Sequence, residues 1–245
     1  MNLVRIAAAA ACAVVATAIL TPPATSAAPL PAAPKVGECR NYTLQQAGKP
    51  SNGSPVVPCK EKHTAKVIGV FQLPAGTPVT MDKARPFVTE KCYPKFRSTL
   101  GRTERLRHLS AYTFSYFIPN QQQREAGARW VRCDIVILGA SMLRPLPSNA
   151  TPMLPTAPLP NKVARCLTGG HVRTTCAQNH AFRATGVTAV ASKKFPGEQT
   201  MTAIARQRCP RLVSTPRNWY ATWASKTAYN LGKDRMIVCY SRRSN

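Results

Sequence analysis

Acidic side chains are scarce in this sequence. The 245-residue chain holds 9 Asp+Glu against 34 Lys+Arg, a formal net charge of +25. So few carboxylates disfavour Ca²⁺ binding as the main business of the protein, because Ca²⁺ takes most of its ligands from carboxylate and carbonyl oxygens. They also make the carboxylate pair of a glycoside hydrolase hard to assemble. From residue 161 onward only Glu198 and Asp234 remain. The sequence contains no G-x-S-x-G, no H-E-x-x-H and no P-loop, so no familiar hydrolase or nucleotide motif is present. Beyond the first 20 residues, no apolar run is long enough to cross a bilayer.

The amino terminus reads as a secretory signal over residues 1–28. A short positive start ends at Arg5, an apolar run of 15 residues spans 6–20, and small residues around Ala27 offer a cleavage site. An uncleaved N-terminal membrane anchor is the alternative. Nine cysteines are present; Cys12 lies within the apolar run, which leaves eight. An even number of cysteines in an exported chain reads as a disulfide framework. The body is therefore expected to be extracytoplasmic.

Those eight cysteines fall into two sets with matching surroundings. Cys39, Cys59, Cys92 and Cys133 form the first, and Cys166, Cys176, Cys209 and Cys239 the second. The second and third cysteines are 33 positions apart in both. The segments CKEKHTAKVIGV (59–70) and CAQNHAFRATGV (176–187) both obey C-x3-H-x5-G-V. Arg129 and Arg235 each stand four before the last cysteine. We read a tandem duplication, with unit one over 35–143, unit two over 163–243, and a proline-rich linker over 144–162. Six prolines between 145 and 160 suggest an extended, semi-rigid spacer.

Each unit reads as β-β-α-β-α-β, so the expected fold class is α+β: two tandem small modules stapled by disulfides. A short strand holds the first cysteine, a second strand follows the His, and a helix leads through the third cysteine. In unit one Ala84, Phe87, Val88 and Phe96 recur near helical spacing, with Pro86 placed in the first turn. In unit two Gly197 and Glu198 open the helix, with Met201, Ile204, Ala205 and Leu212 on its apolar side. An aromatic strand, a short helix and a strand bearing the fourth cysteine complete the unit. Four cysteines allow three pairings per unit, and sequence cannot choose among them. First-to-second and third-to-fourth is the favoured pairing, joining neighbouring strands and clamping the helix to the last strand.

His63 and His180 occupy the same offset in the two copies. As general bases or metal ligands they would serve a secreted hydrolase; as hydrogen-bonding anchors of a hairpin they would be structural, which is the favoured reading. His108 and His171 have no counterparts and read as surface residues. Neither a catalytic residue, a metal site nor a cofactor is assigned. Residues 35–143 carry a net +10 and residues 161–245 a net +13. Arginines gather as Arg97, Arg102, Arg105 and Arg107; as Arg206, Arg208, Arg211 and Arg217; and as Arg242 with Arg243. These are the candidate anion-binding residues, since guanidinium forks match phosphate and carboxylate oxygens. Export argues against nucleic acid as a native partner, and no small-molecule substrate is identified.

Several of these motifs resemble the septum formation domain family. They are Gly37-x-Cys39, then Val56-Val57-Pro58-Cys59-x3-His63-x5-Gly69-Val70, the helix with Cys92, and the arginine four before Cys133. In the second copy Gly232, Asp234, Arg235 and Cys239 fit the family's last segment. Lys62 and Asn179 stand where the family often has proline, Ala128 replaces an Asp, and the helices are basic rather than acidic. The resemblance implies an exported or membrane-anchored actinobacterial envelope protein linked to septum formation. Together with the charge, it suggests a non-catalytic binding or scaffolding protein. The expected partner is an anionic wall polymer or phospholipid surface, or alternatively envelope and division proteins.

Overall fold

The computed structural model describes residues 32–147, 153–232 and 234–243. The signal segment 1–28 lies outside the described residues. Unit one begins with β1 (Cys39–Arg40), α1 (Leu44–Ala47), β2 (Val56–Val57) and β3 (Ala65–Gln72). It continues with α2 (Met81–Leu100), α3 (Glu104–His108), β4 (Tyr112–Phe117), α4 (Gln121–Glu125), β5 (Trp130–Leu138) and β6 (Leu143–Arg144). Unit two has β7 (Arg165–Leu167), β8 (Arg173–Thr175), β9 (Phe182–Ala189), α5 (Glu198–Arg208), a 3-10 turn, β10 (Trp219–Trp223), α6 (Lys226–Gly232) and β11 (Met236–Arg242). The sheets run β2-β1-β3-β5-β4 and β8-β7-β9-β11-β10, the same order in each unit, with β6 added beside β5. Every strand pair is antiparallel. The fold is thus α+β, with two short strands more than the sequence suggests in unit one, β2 and β6, and one more in unit two, β8.

Alternation along the last strand builds each core. On β5, Val131, Cys133, Ile135 and Ile137 pack beneath α2, while Val136 faces Tyr42, Phe117 and Leu143. On β11, Ile237 and Cys239 meet Met201, Ala205 and Cys209, while Val238 and Tyr240 meet Leu167 and Phe182. Period-two alternation puts successive side chains on opposite faces, so one strand serves two apolar layers. Disulfides join Cys39 to Cys59, Cys92 to Cys133, Cys166 to Cys176 and Cys209 to Cys239. The first and third tie β1 and β7 to the residues just past β2 and β8, and the others tie α2 and the turn after α5 to β5 and β11. Each stabilises by roughly 2–4 kcal/mol.

The glycine of C-x3-H-x5-G-V has the same place in both units. Gly69 lies opposite Cys133 and Gly186 opposite Cys239, each beside a β-bulge. A Cβ on Gly186 would fall 2.4 Å from the Leu212 Cβ and 2.7 Å from its carbonyl oxygen. One on Gly69 would fall nearest the Phe71 ring edge, at 2.6 Å, with Lys95 Cγ at an ordinary 3.5 Å.

Three expectations need correction. Pro86 is not in the first turn: α2 begins five residues earlier and contains both Pro86 and Pro94. Both prolines are exposed, opposite the buried ladder Ala84, Val88, Cys92 and Phe96. The carbonyls they leave without partners therefore lie on the solvent side, where water satisfies them. Leu212 falls beyond α5 and is 37% exposed rather than on its apolar side. The stretch read as an extended spacer over 144–162 is packed where it is described. Leu146, Met153, Leu154 and Leu159 are buried in the cluster beneath α2. The Met153 and Leu154 amides donate to the Thr99 and Leu100 carbonyls at 3.0 and 3.2 Å. Proline density signals a stretch without regular ladders, but its interspersed Leu and Met residues still have apolar area to bury.

The two units consequently share one interior. The cluster beneath α2 extends through Val163 and Ala164 to Cys166 and Cys176 of unit two. The Ala111 amide donates to the Val163 carbonyl and the Arg165 amide to the Leu109 carbonyl, both at 2.8 Å. These bonds flank a bridge between Ser110 and Ala164.

Candidate functional site

Where the units meet, α2, α3, β4, the β7–β8 hairpin and α6 enclose a cleft of about 530 Å³. That volume lies within the range of small-molecule sites. One wall is apolar: Val88, Tyr93 and Phe96 from α2, and Phe114 and Tyr116 from β4. The buried side of the α2 ladder continues into this wall, so the packing that holds α2 also shapes the cleft.

The other wall is charged. Arg97 and Arg107 both reach Glu104, at 2.5 and 2.6 Å, and the Arg97 guanidinium lies 5.6 Å over the Tyr93 ring. Arg165 and Arg173 of the β7–β8 hairpin line the cleft as well. Strand register sets Arg165 across from Thr175 and Leu167 across from Arg173, so the two arginines share a face as diagonal neighbours. Arg165 Nε donates to the Ser110 carbonyl at 3.0 Å. The Arg173 side chain has no hydrogen bond or ion pair among the described residues. Burial first, and then the neighbouring Arg165 charge, bring the Arg173 guanidinium down to about 9, with Tyr240 and Asp234 acting the other way.

Asp234 closes the cleft from unit two and binds His108 of unit one, Oδ1 to Nε2 at 2.9 Å. Its other ring nitrogen, Nδ1, faces the Glu104 carbonyl at 3.0 Å. Burial alone would raise the Asp234 carboxyl. The His108 hydrogen bond and charge, Arg165 and the Met236 amide outweigh it, so the net shift is downward.

The sequence-selected arginines do not converge. Arg97 and Arg107 line the cleft, whereas Arg102 donates to the Leu154 carbonyl and Arg105 to the Thr185 carbonyl. Arg208 reaches the Ala189 carbonyl at 2.7 Å, and Arg242 lies over Phe182 at 5.5 Å. Arg206, Arg211, Arg217 and Arg243 are exposed. Arg85, Arg165 and Arg173 of the cleft were not singled out by sequence. They sit in different segments, and no local cluster marks them. An alternation signal exists for Arg165 and Arg173, which flank a short turn, but their shared face depends on strand register.

His63 is buried, with Nδ1 donating to the Glu61 carbonyl at 2.7 Å. His180 repeats the contact with the Gln178 carbonyl at 2.8 Å. The same bond at the same offset ties the hairpin in each unit, which favours the structural reading. The ligand atoms of Cys166, Cys176 and His180 lie within 4.8 Å of one another, but both sulfurs are spent in a disulfide. His108 is buried between the units, and His171 stacks on Tyr220 with centroids 3.9 Å apart. His108 is therefore not the surface residue that sequence suggests, because its partner lies 126 positions away, whereas His171 is exposed as expected.

A two-unit α+β body stapled by four disulfides belongs with extracytoplasmic proteins, since such bridges persist outside the reducing cytosol. The chain is a member of the septum formation family, whose model, described as Septum formation, matches residues 82–222. That single stretch runs from α2 to β10 and carries most of the cleft walls, including Arg165 and Arg173. No curated protein matches the chain, and no solved structure does. Membership associates the protein with cell division or the envelope. Among the described residues no helix is long and apolar enough to cross a membrane.

Proposed function

We propose that this is a non-catalytic binding protein of the cell envelope, engaging an anionic wall polymer or phospholipid surface through its basic exterior. One observation carries the reading. Residues 161–245 hold 15 Lys+Arg and 2 acids, and both acids are engaged within the protein. Glu198 accepts from Trp223 Nε1 at 2.9 Å, and Asp234 is bound to His108. The exposed Arg206, Arg211, Arg217 and Arg243 therefore depend on solvent ions or an external anion for neutralisation. An anionic surface supplies about 1 kcal/mol per nearby Lys or Arg.

The packed segment between the units changes how such binding works. Two modules on a spacer would gain from an effective concentration set by its length; here the two units present their charges from one body. The test is co-sedimentation of the oxidised protein with isolated cell wall and with anionic or zwitterionic vesicles over a salt series. Binding to an anionic phase that weakens with salt supports the reading. Absence of binding at low salt, or indifference to salt, removes it.

A further inference from the structure

The cleft between the units has a second chemistry, distinct from the exterior charge. Its β7–β8 wall sets two guanidinium groups on one face, and among the described residues their one hydrogen bond runs from Arg165 Nε to the Ser110 backbone carbonyl. Asp234 is close enough for its charge to be felt by both, but its Oδ1 is engaged by His108 and it forms no ion pair with either among the described residues. Like charges side by side and partly desolvated are unfavourable until an anion lies between them. A third polar group is also unsatisfied. The Tyr112 side chain lines the same cleft, is 2% exposed, and its hydroxyl has no hydrogen-bond partner. A buried hydroxyl without a partner is destabilising, and a ligand atom that pairs with it removes that cost.

Facing these groups is a hydrocarbon wall. Val88, Phe96 and Phe114 contribute apolar surface, and Tyr93 adds a ring whose hydroxyl is pushed up by burial and by nearby Asp234 and Glu104. Cations along one side and aromatic rings along the other match a molecule with an anionic end and an apolar end. Two guanidiniums balance a phosphate monoester, which carries about −1.5 to −2 at neutral pH. Free phosphate would leave the apolar wall wet, and a neutral alkyl chain would leave the guanidiniums unpaired.

We propose that the cleft binds one molecule of an anionic amphiphile, its phosphate-type head held by Arg165 and Arg173 and its apolar chain laid against Tyr93, Phe96 and Phe114. The head receives guanidinium hydrogen bonds of the charge-assisted kind. The chain is driven by burial of apolar surface.

Isothermal titration calorimetry on the full oxidised protein tests this, using decyl phosphate below its micelle concentration, inorganic phosphate and decanol as probes. Decyl phosphate is expected to bind one to one with negative ΔCp. It should bind at least about tenfold more tightly than inorganic phosphate or decanol. Arg173→Met should lower decyl phosphate affinity at least about tenfold without lowering the melting temperature, since it relieves a like-charge contact. Tyr93→Ser should weaken decyl phosphate while leaving inorganic phosphate unchanged. If Arg173→Met does not fold, Arg173→Gln carries the same expectation. Arg206→Gln, on the exterior, should leave decyl phosphate binding intact, which separates this site from surface attachment. No decyl phosphate binding, binding no tighter than inorganic phosphate, or equal affinity in the Arg173 variant would overturn the proposal, whatever the protein does on vesicles.

Discussion

His108 of the first unit and Asp234 of the second meet with 2.9 Å between Nε2 and Oδ1. The contact spans 126 positions of chain and stands at the edge of the cleft. Both His108 nitrogens face oxygens, Nε2 that of Asp234 and Nδ1 the Glu104 carbonyl. The pair clasps the two units and holds the Asp234 carboxylate at the cleft, where its charge is felt by Arg165 and Arg173 without an ion pair to either among the described residues.

Asp234 therefore makes stability depend on pH in a defined direction. Its folded-state carboxyl lies below the ordinary value. The stabilisation is present above the unfolded-state value of about 4 and is lost as pH falls through the lowered folded value. Asp234→Asn should cost about 1 kcal/mol at neutral pH, a figure kept small because the carboxylate is partly solvated. Urea midpoints of the two proteins should converge in strong acid. A gap that persists there would mean the loss comes from packing rather than charge.

The buried pair in unit one offers a sharper contrast. Arg132 and Asp134 are 1% and 0% exposed and lie 3.0 Å apart, with the Tyr42 hydroxyl donating to Asp134 at 3.1 Å. Arg132 also lies over Phe117 and donates to Asn52. Aligned on the fourth cysteine, unit two has Val238 and Tyr240 in their place, both buried. The fold therefore does not need the ions. Asp134→Ala should cost about 3–5 kcal/mol by stranding Arg132. Arg132→Val with Asp134→Tyr, copying unit two, should recover most of it. Chemical denaturation of both variants checks this.

The repeated glycine predicts an asymmetry between the units. Gly186→Ala drives a Cβ into the Leu212 backbone, whereas Gly69→Ala meets a ring edge and a flexible lysine that can move. We expect Gly186→Ala to be the more damaging, by about 1–3 kcal/mol. Thermal melts of the two single variants give the order directly.

The two hairpin histidines separate binding protein from hydrolase. Loss of the Nδ1 bonds to Glu61 or Gln178 should lower stability by about 1 kcal/mol in His63→Ala and His180→Ala, with anion binding preserved. A hydrolase using either ring would instead lose activity at an unchanged melting temperature.

Much of the fold was legible because the two units carry the same constraints. Cysteine spacing, the motif glycine and the alternation around Cys133 and Cys239 each appear twice, so strand order and disulfide pairing agree with the reading of one unit. What was not legible depends on contacts between units. Leu154 and Leu159 looked like parts of a spacer because prolines surround them, yet they are buried beneath α2. The cleft arginines Arg85, Arg165 and Arg173 come from separate segments, and only tertiary packing brings them together. The visible clusters misled for a related reason. Arg102 and Arg105 reach the carbonyls of the distant Leu154 and Thr185, and Arg107 holds the local Gly101 carbonyl, so sequence neighbours serve different contacts.

The most direct measurement of the central claim compares the oxidised protein with an Arg206, Arg211, Arg217 and Arg243 to Gln quadruple variant on anionic vesicles and isolated wall across a salt series. The account predicts salt-sensitive binding by the parent, and weaker binding with a shallower salt dependence in the variant at an unchanged fold. Equal binding and equal salt dependence would contradict it.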